Sequence, residues 1–430
     1  MVRLWLMFCL VRNDIQLQRV IFCVRISFRP AALLVGAAAL AVYLVPRLLA
    51  GHGPWPLWDV DVYWWGGRQA LRDGAIYAAG APRSFTYPPF AAALFGLTAP
   101  APEIVLKVGL TTLSLAGLGL LCWQSVAATG LPRRRRPEVT FAAIALALLT
   151  VPVAYTLHLG EVNLILAGLI AADLLPRRDG AWWQGIGVGV AAGIKLTPLI
   201  FVAYLLLTRR PWAAAVAVLT FAGTVAVGAV LLPSQSRAFW RQGVFLNNSR
   251  IGNVYNPANQ SLAGMLARLG GGLPAVYGWW IFSVLVTALA GLTVAALLHR
   301  RGHRLAALAC CGVTGTLVSP MSWTHHWVWL VPLLIAMATA AWRRRSWLWT
   351  LATVALFAVF ANPASLPWPG RDPTLLRTLH GNQYALSGLA VLVAAALFVV
   401  HEHRAPRRRS QLLQATPAAG PPLQQRAPSP

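Results

Sequence analysis

The sequence predicts an all-α fold, a polytopic transmembrane helical bundle with roughly 12 crossings, and three observations carry that prediction. Of 430 residues, 57% are hydrophobic and only 11% are charged, against about 25% charged in an ordinary soluble domain. Mean hydropathy is +0.61. Apolar runs long enough to cross a bilayer, about 20 residues each, recur from Ala31 to the stretch ending near Val400, and the loops between them hold Gly, Pro or clustered Arg with no room for a large soluble domain.

The net charge of +25 would suggest nucleic acid as the partner of a soluble chain. Here the arginines sit at the ends of apolar runs, as the positive-inside rule expects, and no aromatic-basic recognition module accompanies them, so no nucleic-acid partner is expected. Residues 1–30 read as a basic cytoplasmic lead lacking a small-residue cleavage site, residues 31–401 as the membrane domain, and residues 402–430, rich in Pro, Gln and Arg, as a disordered basic cytoplasmic tail. The five cysteines, Cys9, Cys23, Cys122, Cys310 and Cys311, lack metal-ligand spacing and read as small packing residues.

The arginine clusters at 133–136, 177–178, 209–210, 300–304 and 343–345, with both termini, then face the cytoplasm of a plasma-membrane protein. Each stretch between clusters must go out and return. A first span leads to an outer loop, 51–87, in which "DVDVYWWGGRQALRDGAIY" forms a short amphipathic helix at the interface. The segment 87–100 has only about 13 apolar residues, too few to span, and is re-entrant or interfacial. The runs 138–156 and 162–176 form a hairpin with "HLGEVN" at its tip, and 181–207 a tighter one turning at "GIKLTP", where Gly193 and Pro198 can break a helix. The run 212–232 leads to a long outer loop, 233–274, and 275–298 returns. The runs 305–319 and 326–342 turn at "SPMSWTHH", and 347–361 and 386–400 make the last pair.

Eleven Asp and Glu occur, and on this topology Asp59, Asp61, Asp73, Glu161 and Asp372 fall outside, together with His158, Asn163, Lys195, the Asn-rich 247–261 stretch, His325, His326 and His380. Polar groups at membrane depth are costly unless they pair or line water, so turns far apart in sequence can converge on one outward cavity. Such a cavity suits a lipid-facing enzyme, or a transporter or lipid flippase. Loops are also polar for no functional reason.

Each motif admits two readings. Asp59 or Asp61 suits a general base for a sugar hydroxyl and equally a helix N-cap. Lys195 at a helix break suits an anionic group such as a phosphate, or snorkels to the interface. His325 and His326 lie about 100° apart on a helix, so one of them faces a cavity; they lack the i, i+4 spacing of a helical metal pair, and no metal or cofactor is expected. Glu161, Asn163, Asn259 and Gln260 suit sugar hydroxyls. Trp58, Tyr63 and Tyr87 can stack on a sugar or prenyl chain, or anchor the interface.

Taken in order, "DVDVYWWGGRQALRDGAIY", "FTYPPFAAALF", "GEVNLILAGLIAADLL", "GIKLTPLIFVAYLLLTRR", "NQSLAGML" and "SPMSWTHHWVWLVPLL" resemble the polyprenyl-phosphate-mannose-dependent alpha-(1,2)-mannosyltransferases of glycosyltransferase family 87, in the glycosyltransferase C superfamily. The resemblance covers about residues 55–335. It implies a membrane enzyme that takes mannose from polyprenyl-phosphate mannose on the outer side of the membrane and gives it to a glycolipid acceptor, a phosphatidylinositol mannoside or lipomannan. It also implies that the catalytic acid is Asp59, with Asp61 in a variable slot, that the lysine is Lys195, and that the histidine of the turn is His325 or His326. Glu161 departs from the "GQVN" form that the resemblance leads one to expect.

Overall fold

The computed structural model describes residues 33–34, 36–38, 57–72, 74–78, 84–98, 100–176, 180–247, 250–362 and 375–415. The basic lead at 1–30, most of the first span, Asp73, Asp179, Asp372 and the tail after 415 lie outside the described residues. The described α-helices of eight or more residues are α1 (Trp58–Leu71), α2 (Pro89–Gly96), α3 (Glu103–Ala128), α4 (Arg136–Leu148), α5 (Val151–Leu159), α6 (Asn163–Leu174), α7 (Ile186–Ile194) and α8 (Ile200–Leu207). They continue as α9 (Pro211–Leu231), α10 (Leu262–Leu269), α11 (Tyr277–Arg300), α12 (Arg304–Val318), α13 (Leu330–Arg344), α14 (Trp347–Ala361) and α15 (Gln383–Ala415). Among the described residues there is no strand, and a single isolated bridge joins Asn259 to Trp323. The all-α membrane bundle expected from the composition is the fold.

Length divides these helices into two kinds. Five spans are long and apolar enough to cross a bilayer by themselves: Glu103–Ala128, Pro211–Leu231, Tyr277–Arg300, Thr324–Arg344 and Gln383–Glu402. A sixth is the pair Arg133–Leu148 and Val151–Leu159, bent by 75° where Pro152 removes a backbone donor at the start of α5. The expectation of roughly 12 crossings is not reached by these alone. Many apolar runs are split into pieces too short to span, and α2, at 8 residues, is one of them. The long helices turn large apolar side chains outward, as Leu219 (69% exposed), Val230 (78%) and Leu289 (73%) do, which is the surface lipid requires.

The run 181–207 is the clearest split. Gly185, Gly189 and Gly193 follow one another at four-residue spacing and lie against Ala213 and Ala217, then Thr220, then Thr224 of α9, so α7 runs parallel to α9 with no room for side chains between the two backbones. The chain breaks at Lys195, which adopts an extended conformation (φ −146°, ψ 132°), and α8 then returns. Tyr204 on α8 reaches His299 near the end of α11 (2.8 Å), and Arg300 donates to the Leu207 carbonyl. At nine and eight residues, these halves extend about 14 and 12 Å. The turn bearing Lys195 therefore lies well inside the bundle.

Candidate active site

Helix interruptions set the site. After α5 the chain reverses at Gly160, in the left-handed region (φ +73°), with Val60 and Leu57 packed where a β-carbon would stand. Leu57 also donates its backbone N–H to the His158 carbonyl (3.2 Å). The start of α1 is thereby pinned to the tip of the α5–α6 hairpin, which brings Asp59 to Glu161. A side chain at residue 160 would be strained and displace α1.

Glu161 is at the centre. One carboxylate oxygen accepts the backbone N–H of Asn163 at the start of α6 (2.9 Å). The other accepts the Tyr87 hydroxyl (2.7 Å) and the Lys195 ammonium (2.8 Å). Lys195 also donates to Asn163 Oδ1 (2.9 Å) and lies 3.2 Å from His326 Nε2. All three of its donor positions thus have partners: Lys195 is a buried ion-pair partner rather than a side chain snorkelling to the interface, with side-chain exposures of 14% for Lys195 and 2% for Glu161. Burial alone would push the Glu161 carboxyl up, but Lys195 and the hydrogen bonds around it hold it below the usual carboxylate range.

The two acids of α1 separate sharply. Asp61 turns to α3, where Lys107 bridges it (3.2 Å) and Glu103 (2.6 Å). Asp59 has no hydrogen-bond or ion-pair partner among the described residues, and burial, then the charge of Glu161, pushes its carboxyl up to about 7 against the pull of Lys195. Neither serves as the side-chain cap of α1, whose N-cap position is Leu57.

His325 and His326 occupy a 3-10 turn, Thr324–Trp329, and both come to the cluster. His326 reaches Lys195, whereas the ring of His325 lies 4.7 Å from that of His326 and 5.8 Å from Tyr155. Nδ1 of His325 is buried with no partner among the described residues. Its carbonyl accepts from Thr156 and Asn163 (both 3.0 Å), which ties the histidine turn to the α5–α6 tip.

Three expected ligands are engaged by the protein itself. Tyr63 is fully buried, stacked on Phe95 (4.4 Å, 9°) and edge-on to Tyr87 (5.2 Å), so its faces are covered; its hydroxyl meets that of Tyr87 at 2.9 Å. Asn259 accepts from the Ser322 and Ser261 backbone and donates to the Val254 carbonyl. Gln260 bonds the Pro257 and Gly381 carbonyls and the Tyr384 amide. The Asn259 amide braces the strand-like approach to the histidine turn, whereas the Gln260 amide ties its own loop to the start of α15. Trp58 stays 60% exposed. Tyr155, Thr156 and Gly160 were not singled out from the sequence; a glycine directly before an acid at the tip of an apolar hairpin was the available signal.

An all-helical, multi-pass membrane bundle whose broken helices gather a carboxylate, an ion pair and two histidines defines a membrane protein with a built polar site. The family model described as glycosyltransferase family 87 matches residues 85–320, and the chain belongs to that family and is a glycosyltransferase. It is 31% identical over 407 residues, 89% of this chain and 94% of the relative, to a polyprenol-phosphate-mannose-dependent alpha-(1-2)-phosphatidylinositol mannoside mannosyltransferase of Mycobacterium tuberculosis. It is 34% identical over 382 residues, 81% and 85%, to the enzyme of the same description in Mycolicibacterium smegmatis. A polyprenol-phosphate-mannose-dependent alpha-(1-2)-phosphatidylinositol pentamannoside mannosyltransferase of Mycobacterium tuberculosis is 31% identical over 385 residues, 81% and 83%. No solved structure matches. Family membership sets the transporter reading aside.

Proposed function

We propose that this chain transfers mannose from polyprenyl-phosphate mannose to the 2-hydroxyl of a mannolipid acceptor, a phosphatidylinositol mannoside or lipomannan, forming an alpha-(1,2) linkage on the outer side of the plasma membrane with both termini inside. The observation that carries the assignment is Asp59: a carboxylate without a hydrogen-bond or ion-pair partner among the described residues, two residues from one that has a partner, beside a cation-bearing cluster.

A beta-linked mannosyl phosphate yields an alpha product by inversion. Asp59 takes the proton of the acceptor hydroxyl as its oxygen bonds to the anomeric carbon. The bond from that carbon to the phosphate oxygen breaks on the opposite face, and the electron pair leaves with the phosphate. A phosphate leaving group needs charge neutralisation more than a proton, which Lys195 supplies once the phosphate shares it with Glu161, while a ring N–H of the histidine turn can add a hydrogen bond. Glu161 and Asn163 hold that lysine, Tyr87 holds Glu161, and Asn259 holds the approach to the histidine turn. No metal or cofactor enters this scheme.

Membranes carrying Asp59→Asn or Asp61→Asn, supplied with polyprenyl-phosphate mannose and a phosphatidylinositol mannoside acceptor, test the assignment. Asp59→Asn loses almost all product while Asp61→Asn retains most of it; near-normal turnover by Asp59→Asn, at equal protein, would falsify the choice of base.

A further inference from the structure

At the end of the bundle opposite Asp59, a cavity of about 450 Å³ opens between α12, α13 and α15. His303 and Arg304, where α12 begins, and Arg343 and Arg344, where α13 ends, line its mouth. Arg343 is tethered by donating to the Thr129 carbonyl, and Arg344 lies over the Phe398 ring (5.0 Å). No described residue lining the cavity is acidic. Glu402, beside the mouth, is held by His303 (3.2 Å) and Arg301 (3.8 Å).

Behind the arginines the walls become apolar, through Ala336 and Leu333 on α13 and Phe398, Ala395 and Val391 on α15. Leu333 and Arg343 are about 15 Å apart along α13, several methylenes of an extended acyl chain. The mouth thus offers cations at the depth of a headgroup and the interior offers a dry trough at the depth of a chain. A free phosphate would use the first and leave the second empty.

We propose that this cavity binds an anionic phospholipid of the bilayer, its phosphate between Arg304, Arg343 and Arg344 and one acyl chain along Ala336, Leu333 and Val391. The site is separate from the Asp59 cluster and does not depend on the sugar transferred. Basic pockets between transmembrane helices recognise lipid headgroups in this way, and two juxtamembrane arginines together account for about 30-fold in affinity.

The test is native mass spectrometry of the purified full-length chain in detergent, titrated with phosphatidylglycerol or phosphatidylcholine. The wild type retains phosphatidylglycerol over phosphatidylcholine, Arg343→Gln with Arg344→Gln weakens phosphatidylglycerol by about 30-fold, and Ala336→Trp, which fills the trough and leaves the arginines, also expels it. Should the paired variant perturb folding, as judged by thermal melting, Arg344→Gln alone is read in its place. Equal retention of the two lipids by the wild type, unchanged phosphatidylglycerol binding in the arginine variants, or its displacement by millimolar inorganic phosphate overturns the proposal.

Discussion

Two lysine–carboxylate clusters stand at the Asp59 end of the bundle, and they differ in almost every physical respect. Lys107 holds Asp61 and Glu103 at the rim, with side chains 19% to 34% exposed; water and salt reach this group, and such pairs contribute about 0–1 kcal/mol. Lys195 holds Glu161 deep among broken helices, where an ion pair is a poor source of stability but breaking it leaves an uncompensated charge. The rim pair occupies Asp61. The deep pair shapes the surroundings of Asp59, which has no hydrogen-bond or ion-pair partner among the described residues, so two acids two residues apart acquire different surroundings from the partners other helices bring.

The largest expected effect breaks the comparison at Asp59 itself. Asp59→Asn should lower mannosyl transfer by about 10²–10⁴-fold, the range a positioned general base contributes, measured as product per unit of membrane enzyme. Next, Lys195→Met strands Glu161 and should cost about 3–5 kcal/mol, seen as loss of folded protein in detergent; adding Glu161→Gln should restore folding and leave transfer impaired. If the double variant stays unfolded, the ion pair is not what Lys195 contributes.

The pH dependence follows from the raised Asp59 carboxyl. A base must be ionised, so kcat/KM should fall about tenfold per unit as pH drops below about 7, a limb absent from the residual activity of Asp59→Asn. Stability runs the other way. Because the folded state favours protonated Asp59, that contribution is complete below the ordinary carboxylate range and is lost as pH rises through about 7. Asp59→Asn should therefore melt higher than the wild type at pH 8 and alike at pH 4. Smallest of all, Asp61→Asn should change transfer by less than about threefold and melting by no more than an exposed pair allows, an effect erased by salt.

Much of this arrangement was legible in the sequence. Arginine clusters and breakers located the hairpins, and both the 181–207 reversal and the shortness of 87–100 follow from counting residues against bilayer thickness. The choice between Asp59 and Asp61 was not legible from spacing, because it rests on Lys107, an α3 residue, reaching one of them. Glu161 and Lys195 were each visible as polar residues at a turn, but their pairing joins two hairpins through side chains alone. The amides of Asn259 and Gln260 resemble sugar ligands in sequence for the same reason that they make good braces: each bears a donor and an acceptor. The four-residue glycine spacing before Lys195 was present in the sequence and specifies how closely α7 meets α9.

The short helices α7 and α8 have a consequence for insulation. Each is about half as long as a hydrocarbon layer about 30 Å thick, so the hairpin that they form ends at Lys195 well short of a full crossing. Depth that neighbouring long helices fill with hydrocarbon is here left to polar side chains. Under the proposed function, a sugar phosphate would meet this cluster without its headgroup being drawn into oil, while the chain that carries it stays in the surrounding lipid.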